Sequence, residues 1–441
     1  MTDKRVAIHT LGCKVNQTES EAMLGLFQKR GYTPVDWREE ADVYVINTCT
    51  VTHLGDRKSR QMIRQAIKRN PAAKIVVTGC YAQTSPGEVL AIPGVDLVIG
   101  TQDRGRLVEL VEQAQKGQAP LNLVADITQR REFEELPLES FVHRTRAFVK
   151  IQDGCNQFCS YCIVPYARGR VRSRQPDQVI AELQRLVQMG FAEIVLTGIH
   201  TSAYGQDLGE GVNLGSLLWR VLTEVPALPR LRLSSLEPTE ITDELIELVA
   251  DNPVLCRHFH IPLQSGHDEI LFKMNRHYTT REYQQLVDRI RAVIPGVAIT
   301  SDVIVGFPGE TEVHFSQSLQ FIDELNFSDL HVFKYSPRAG TRAAKFPNQV
   351  APQVKEERSQ RLIALAREEA HRFAQAFLGQ TLTVLLEEQT DPAGWVGYTD
   401  NYLRVVLPAI DERDLRGQLV SATLERIEDD KIIGRYKDVG K

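Results

Sequence analysis

Six of the seven cysteines in this 441-residue chain fall into two sets of three. One set is compact, with Cys155, Cys159 and Cys162 spaced CxxxCxxC in the run CNQFCSYC. The other is dispersed: Cys13 in HTLGC, Cys49 in VINTC and Cys80 in VTGC, each within two residues of the end of a short β-branched run. Thiolates are the usual protein ligands of iron-sulfur clusters, and a four-iron cluster has four irons to satisfy. Three cysteines leave one iron open, the counterpart of the unfilled position on a catalytic zinc, where a cofactor or substrate docks. A zinc site is the alternative chemistry, with His143 or His200 completing a tetrahedron around the compact set. Zinc normally joins a CxxC knuckle to a second pair elsewhere, and the second pair is what this spacing lacks. Cys256, in DNPVLCRHFH, has no partner spacing and is expected to be a buried structural residue.

The elements around these residues have to bring the dispersed thiols together. To about residue 130, the β-branched runs Val6–Leu11, Val43–Thr48 and Lys74–Thr78 alternate with helical stretches, the pattern of a parallel sheet covered by helices. In such a sheet the carboxyl ends of the strands share one edge, so Cys13, Cys49 and Cys80 are expected to converge there. After a linker at Gln129–Ser140, six strand-like runs alternate with helices: AFVKIQ, EIVLTGIH, LRLSSLEP, HFHIPLQSG, ITSDVIVGFPGE and LHVFKYSPRAGT. Six βα units are too few to close an eight-stranded barrel and predict an open, partial one, with its active site at the carboxyl ends of the strands. A charged amphipathic helix over Lys355–Phe377 leads to a tail whose short strands and turns suggest a small antiparallel barrel. The fold class is therefore α/β, with domains at 1–128 (parallel-sheet α/β), 141–376 (partial (β/α)6 barrel) and 377–441 (β-barrel).

Composition is that of an ordinary globular protein, 42% hydrophobic and 25% charged, which excludes disordered and collagen-like classes. No run approaches the ~18 apolar residues of a membrane span, and the start MTDKRVAIHTLG lacks a secretory core, so a cytoplasmic protein without membrane contact is expected. The formal net charge of -5 argues against wholesale phosphate neutralisation, so any nucleic-acid surface must be local. Arg57, Arg60, Arg64 and Lys68 recur at helical spacing and could track RNA phosphates. In RGRVRSR, Arg168, Arg170, Arg172 and Arg174 alternate, so in an extended segment all four would project to one side as a second candidate RNA-binding face. The tail is acidic and offers only Arg404, Arg413, Arg416 and Arg426 as phosphate contacts.

The CxxxCxxC run, with the aromatic Tyr161 before its last cysteine, resembles the radical S-adenosylmethionine (SAM) superfamily, whose cluster binds SAM at its open iron. With LGCKVNQTES, VINTCTVT and VTGCYAQ ahead of CNQFCSYCIVPYARGRVRSR, and a TRAM-like β tail behind, the whole chain resembles the methylthiotransferases. LGCKVNQTE, NTCTVTHLGDRKSR, HFHIPLQSGHDEIL and HVFKYSPRAGT are most similar to bacterial threonylcarbamoyladenosine tRNA methylthiotransferases. The resemblance implies two 4Fe-4S clusters, a SAM-binding one at Cys155, Cys159 and Cys162 and an auxiliary one at Cys13, Cys49 and Cys80. It also implies SAM as cofactor, and as partners a tRNA anticodon stem-loop, a sulfur donor and a flavodoxin- or ferredoxin-like electron donor. By position in the βα repeat, Thr197, Gly198, Ser235, Glu237, Gln264 and Asp302 are the expected SAM contacts. The superfamily's GxIxGxxE appears here as DVIVGFPGE, with its acid displaced and its first glycine replaced. Isopentenyladenosine in tRNA and a ribosomal-protein aspartate are the alternative targets. A non-catalytic, metal-stabilised RNA-binding protein is the alternative class.

Overall fold

The computed structural model describes residues 4–136, 145–390, 394–409 and 413–437. They form two compact units. The first gathers Met1–Val142, Gln152–Arg174 and Ser336–Lys345, and the second takes His143–Ile151, Gln175–Tyr335 and Phe346–Lys441. Both cysteine sets therefore belong to the first unit.

The first unit is a six-stranded parallel sheet in the order Thr33–Pro34, Arg5–Thr10, Val43–Thr48, Lys74–Gly79, Leu97–Val98, Leu121–Asn122. Its central strand Val43–Thr48 is buried throughout, as a strand covered by helices on both faces must be. Tyr44 and Ile46 pack with Ile63, Ala66 and Val77 on one face, while Val43 and Val45 pack with Met23, Phe27 and Leu107 on the other. That period of two sets which way each residue faces, and the parallel pairing brings the carboxyl ends of the three strands to one edge. The helix His53–Arg69 begins where the Thr52 hydroxyl accepts from the Gly55 N–H, a side-chain cap on an otherwise unsatisfied donor.

The second unit has the six expected βα strands. Arg146–Lys150, Glu193–Thr197 and Leu231–Leu233 form one parallel sheet, and His258–His260, Ala298–Val305 and Asp329–Lys334 form another. A parallel bridge between Leu231 and Leu255 links the two halves in chain order. The first and last strands each pair with a single neighbour among the described residues, so the barrel is open. A helix over Pro352–Gln375, with proline in its first turn where a missing N–H costs nothing, leads to the tail. The tail closes as a five-stranded barrel around Trp395, Val384, Leu386, Val405, Leu407 and Leu424.

The tail is fastened at the amino-terminal ends of the barrel strands. Glu193, fully buried, takes Arg232 at 2.7 Å and Arg230 at 3.2 Å. Those arginines also donate to tail carbonyls, Arg230 to Tyr398 and Thr383 and Arg232 to Asp400 and Thr399. Arg146 pairs with Glu387 at 2.6 Å, and Arg257 with Asp400 at 2.7 Å. Among the described residues no helix is long and apolar enough to cross a membrane.

Candidate functional site

Each dispersed cysteine sits where its strand ends. Cys13 caps the helix Lys14–Lys29, Cys49 directly follows the strand Val43–Thr48, and Cys80 opens the short helix Cys80–Thr84 directly after Lys74–Gly79. Two glycines let these loops approach one another. Gly12, at φ +105°, lies so close to the second loop that a Cβ there would stand 2.9 Å from Cys49 Cβ and 3.1 Å from its Sγ. At Gly79, φ +93°, a Cβ would meet the Thr48 carbonyl at 2.5 Å, a conformation and a space reserved for glycine. Burial pushes the Cys80 thiol up to about 12, opposed by the Arg168 guanidinium and reinforced by Cys49 and Cys13. Burial likewise raises Cys49, against a hydrogen bond from the Val51 backbone. The three thiols thus stand at one sheet edge, close enough to act on one another's charge.

The compact set is held by backbone. Gly154, at φ +76°, lies against the Arg170 carbonyl, where a Cβ would be 1.9 Å away. The Cys155 N–H donates to Gly169 O at 3.0 Å, and the Cys162 N–H to Cys159 O at 3.0 Å. The Gln157 N–H points at Cys155 Sγ, 3.4 Å away, the kind of donor that stabilises a thiolate ligand. Phe158 stands exposed at φ +47° with its ring edge-on to Tyr166.

The alternation in RGRVRSR predicts that all four arginines project to one side as RNA contacts, and the structure departs from this. Arg168 closes the helix Val164–Arg168, Gly169 turns the chain at φ +71°, and only Arg172–Ser173 is extended. The alternation that an unbroken strand would have given is therefore lost. Arg170 is exposed, whereas Arg168, Arg172 and Arg174 are buried. Arg168 pairs with Glu19 at 2.8 Å and Asp153 at 3.1 Å, Arg172 with Asp153 at 3.5 Å, and Arg174 with Glu135 at 2.8 Å. Of the helical stripe, Arg57, Arg64 and Lys68 are exposed, but Arg60 turns in to donate to the Tyr81 hydroxyl at 2.9 Å.

Among the SAM candidates, Thr197 ends its strand and Gly198 follows it, while Ser235, Glu237 and Gln264 lie beyond the ends of the next two strands. Glu237 is paired with Arg276, and Gln264, at φ +67°, exchanges backbone hydrogen bonds with Asp302 and Ile304. Asp302 departs from its expected place at a strand end. The apolar run VIVG prolongs the strand to Val305, leaving Asp302 mid-strand between His260 Nε2 at 3.3 Å and His331 Nδ1 at 3.1 Å. Glu310 of DVIVGFPGE accepts from the Gly306 N–H at 2.9 Å and from Arg358 at 2.7 Å, so it fixes a turn to the long helix.

Of the two histidines of the zinc reading, only His200 lies among the described residues. Among the described residues, His260, Asp302 and His331 are the one set of three potential ligands within 4.8 Å of one another, and no cysteine belongs to it. His200 faces Glu240 at 2.8 Å, and His143 lies outside the described residues. Each set offers three soft donors and no fourth cysteine, the donor set of a cluster with one open iron. Cys256 is buried in the second unit and belongs to neither three-thiol set, and burial pushes its thiol up to about 12.

Residues 5–100 match the family model described as Uncharacterized protein family UPF0004, and residues 149–322 match that of the Radical SAM superfamily. Over 95% of its length the chain is 49% identical to the threonylcarbamoyladenosine tRNA methylthiotransferase MtaB of Bacillus subtilis (strain 168), covering 93% of that protein. The chain belongs to the radical SAM methylthiotransferase family. A tRNA-2-methylthio-N(6)-dimethylallyladenosine synthase of Moorella thermoacetica is 38% identical over 96% of both chains. In fold it is similar to the radical SAM methyltransferase TsrM of Kitasatospora setae, at a TM-score of 0.58 and 16% identity over 75% of this chain and 73% of that one. Methylthiotransferases carry two iron-sulfur clusters and use SAM, and the two three-thiol sets fit that complement.

The sequence missed the polar cluster behind the thiols: Asn16, Glu19, Arg104, Glu134, Asp153 and Arg168. The available signal was Asn16 and Glu19 in KVNQTES, three apart and therefore on one helix face, both buried. Also missed was Arg338 of SPRAGT, which meets Asp56 at 2.6 Å and Thr50 Oγ1 at 2.6 Å and so holds the loop after Cys49.

Proposed function

We propose that the chain replaces the carbon-2 hydrogen of N6-threonylcarbamoyladenosine, at position 37 of a tRNA anticodon loop, with a methylthio group. Supporting this reading most directly is the presence of two three-thiol sets in one compact unit of a chain 49% identical to a relative named for that nucleoside. The relatives named for dimethylallyladenosine stand at 36–39%.

An aromatic carbon-hydrogen bond offers a general base no acidic proton, so its cleavage falls to the cofactor and the protein's part is positioning. When bound, the clusters supply the one-electron reduction of SAM at Cys155, Cys159 and Cys162 and the sulfur at Cys13, Cys49 and Cys80. Gln157 steadies the Cys155 sulfur through its N–H, and the burial of Cys80 keeps water from its sulfur. Thr197, Gly198, Ser235, Glu237 and Gln264 are the residues we assign to SAM. Arg57, Arg64, Lys68 and Arg170, all exposed, are those we assign to tRNA phosphates. A sulfur donor and a flavodoxin- or ferredoxin-like electron donor complete the reaction.

The test is anaerobic turnover on anticodon stem-loops carrying threonylcarbamoyladenosine or isopentenyladenosine, with ribosomal protein as a third substrate. Methylthiolation of the first alone is expected, and product on either of the others instead overturns the substrate assignment. Cys13→Ala is expected to abolish methylthiolation and retain deoxyadenosine formation, whereas Cys159→Ala loses both. Equal loss of deoxyadenosine in the two variants contradicts the division between the sets.

A further inference from the structure

Arg168 follows the last cysteine of the compact set by six residues, yet its side chain is fully buried and runs back to the helix behind Cys13. Its Nη1 lies 2.8 Å from Glu19 Oε1 and 3.1 Å from Asp153 Oδ1, and its Nη2 is 3.0 Å from Glu19 Oε2 and 2.5 Å from Asn16 Oδ1. Each of these partners stands beside a cysteine loop. Asn16 sits three residues after Cys13, and its Nδ2 donates to the Leu11 carbonyl at 2.7 Å and the Thr48 carbonyl at 3.1 Å, just ahead of Cys13 and Cys49. Asp153 precedes Cys155 by two residues, and its Oδ1 accepts from the Gly154 N–H at 2.9 Å. One guanidinium therefore reaches the supports of both thiol sets.

The cation is also permanent. A guanidinium does not lose its proton in a protein, and here Arg104, Arg168 and Arg172 are matched by Glu19, Glu134 and Asp153. Such matching makes a buried charge tolerable but leaves the local field to whichever charge stands nearer. Asn16 Oδ1, which accepts from Arg168 Nη2 at 2.5 Å, also accepts from Cys13 Sγ at 3.9 Å, so a single side-chain oxygen separates the guanidinium from that sulfur. Reduction of a cluster adds negative charge, and net charge with burial is a principal determinant of cluster potential.

We propose that Arg168 is a positioning residue that also acts electrostatically, raising the reduction potential of the cluster held by Cys13, Cys49 and Cys80 and fixing that loop set against the compact cysteine run. The proposal rests on the cluster assignment made above. Its place in an arginine-rich run disguises Arg168 as a phosphate contact, although its guanidinium faces buried carboxylates.

The experiment uses the full-length reconstituted protein and its Cys155→Ala/Cys159→Ala/Cys162→Ala form, which keeps only the auxiliary set. Midpoint potentials are read by electron paramagnetic resonance during reductive titration, alongside iron and sulfide content. Arg168→Gln is expected to lower the auxiliary potential by about a tenfold change in the reduction equilibrium, 59 mV for one electron. Glu19→Gln, nearly isosteric, is expected to raise it, and Arg168→Lys to recover most of the Arg168→Gln loss. A purely structural role does not predict shifts of opposite sign. Should Arg168→Gln fail to hold its cluster, Glu19→Gln decides: a raised potential supports the proposal and an unchanged one overturns it. Full cluster content with unmoved potentials in every variant overturns the proposal alone. A parent protein that takes up about four irons instead of eight overturns the functional reading and the proposal with it.

Discussion

Cys80 and Cys13 belong to one set but sit in unlike surroundings, and that difference is chemical. Cys13 is exposed, while Cys80 is buried with its thiol pushed up to about 12, so at pH 8 it stays protonated. In cluster-free protein, iodoacetamide at pH 8 is therefore expected to label Cys13 readily and to leave Cys80 and the equally raised Cys256 almost untouched. Peptide mass spectrometry of a time course reads this directly, and equal labelling of Cys13 and Cys80 contradicts the burial. At this scale the sequence revealed the ligands well, because cysteine spacing and strand ends are local signals. Arg168 was illegible for the converse reason: its partners Asn16 and Glu19 lie 152 and 149 residues away, and nothing in RGRVRSR distinguishes an arginine with distant buried carboxylates from a solvated one.

Elements were legible wherever periodicity set them and misread where a turn interrupted it. Six βα strands and the long amphipathic helix stand where expected, whereas Gly169 breaks an alternation that looked continuous and the run VIVG carries Asp302 away from its strand end. The long helix hides a further feature that no pattern showed. Glu369, on its inner face, is buried beside Arg291, Asn326, Ser328 and Arg372, and neither carboxyl oxygen is paired with a side chain among the described residues. Burial pushes its carboxyl up to about 8 from an ordinary 4.5. Between those values the unfolded chain is ionised while the folded one keeps the proton, so stability falls as pH rises through this window and the loss is complete above about 8. Glu369→Gln is accordingly expected to raise the denaturation midpoint at pH 8.5 and to have little effect near pH 5. Matched thermal melts at the two pH values check this, and an equal effect at both contradicts the assignment.

At the scale of the whole molecule, the second unit turns on one carboxylate. Glu193 opens its strand amid Arg146, Arg230 and Arg232, and those arginines in turn hold the tail barrel. Removing one partner from a buried charge cluster typically costs about 3–5 kcal/mol, because the remaining charges stay desolvated and unpaired. Glu193→Ala is expected to lose stability on that order in urea denaturation, with separate unfolding of the tail and the partial barrel, while cluster content is unchanged. A single unshifted transition contradicts this role. The three architectures could be read from the chain because each has its own period. The charge cluster that fastens the tail could not, since Glu193 and the three arginines Arg146, Arg230 and Arg232 share no local pattern.

The clasp on the loop after Cys49 has a consequence in time. Arg338 is joined to Thr50 across 288 residues of sequence, and a ribosome adding about 5–20 residues per second needs roughly 14–58 s to span them. Throughout that interval the loop after Cys49 is nascent chain without its fastener, and the first unit is complete only once residue 345 has been made.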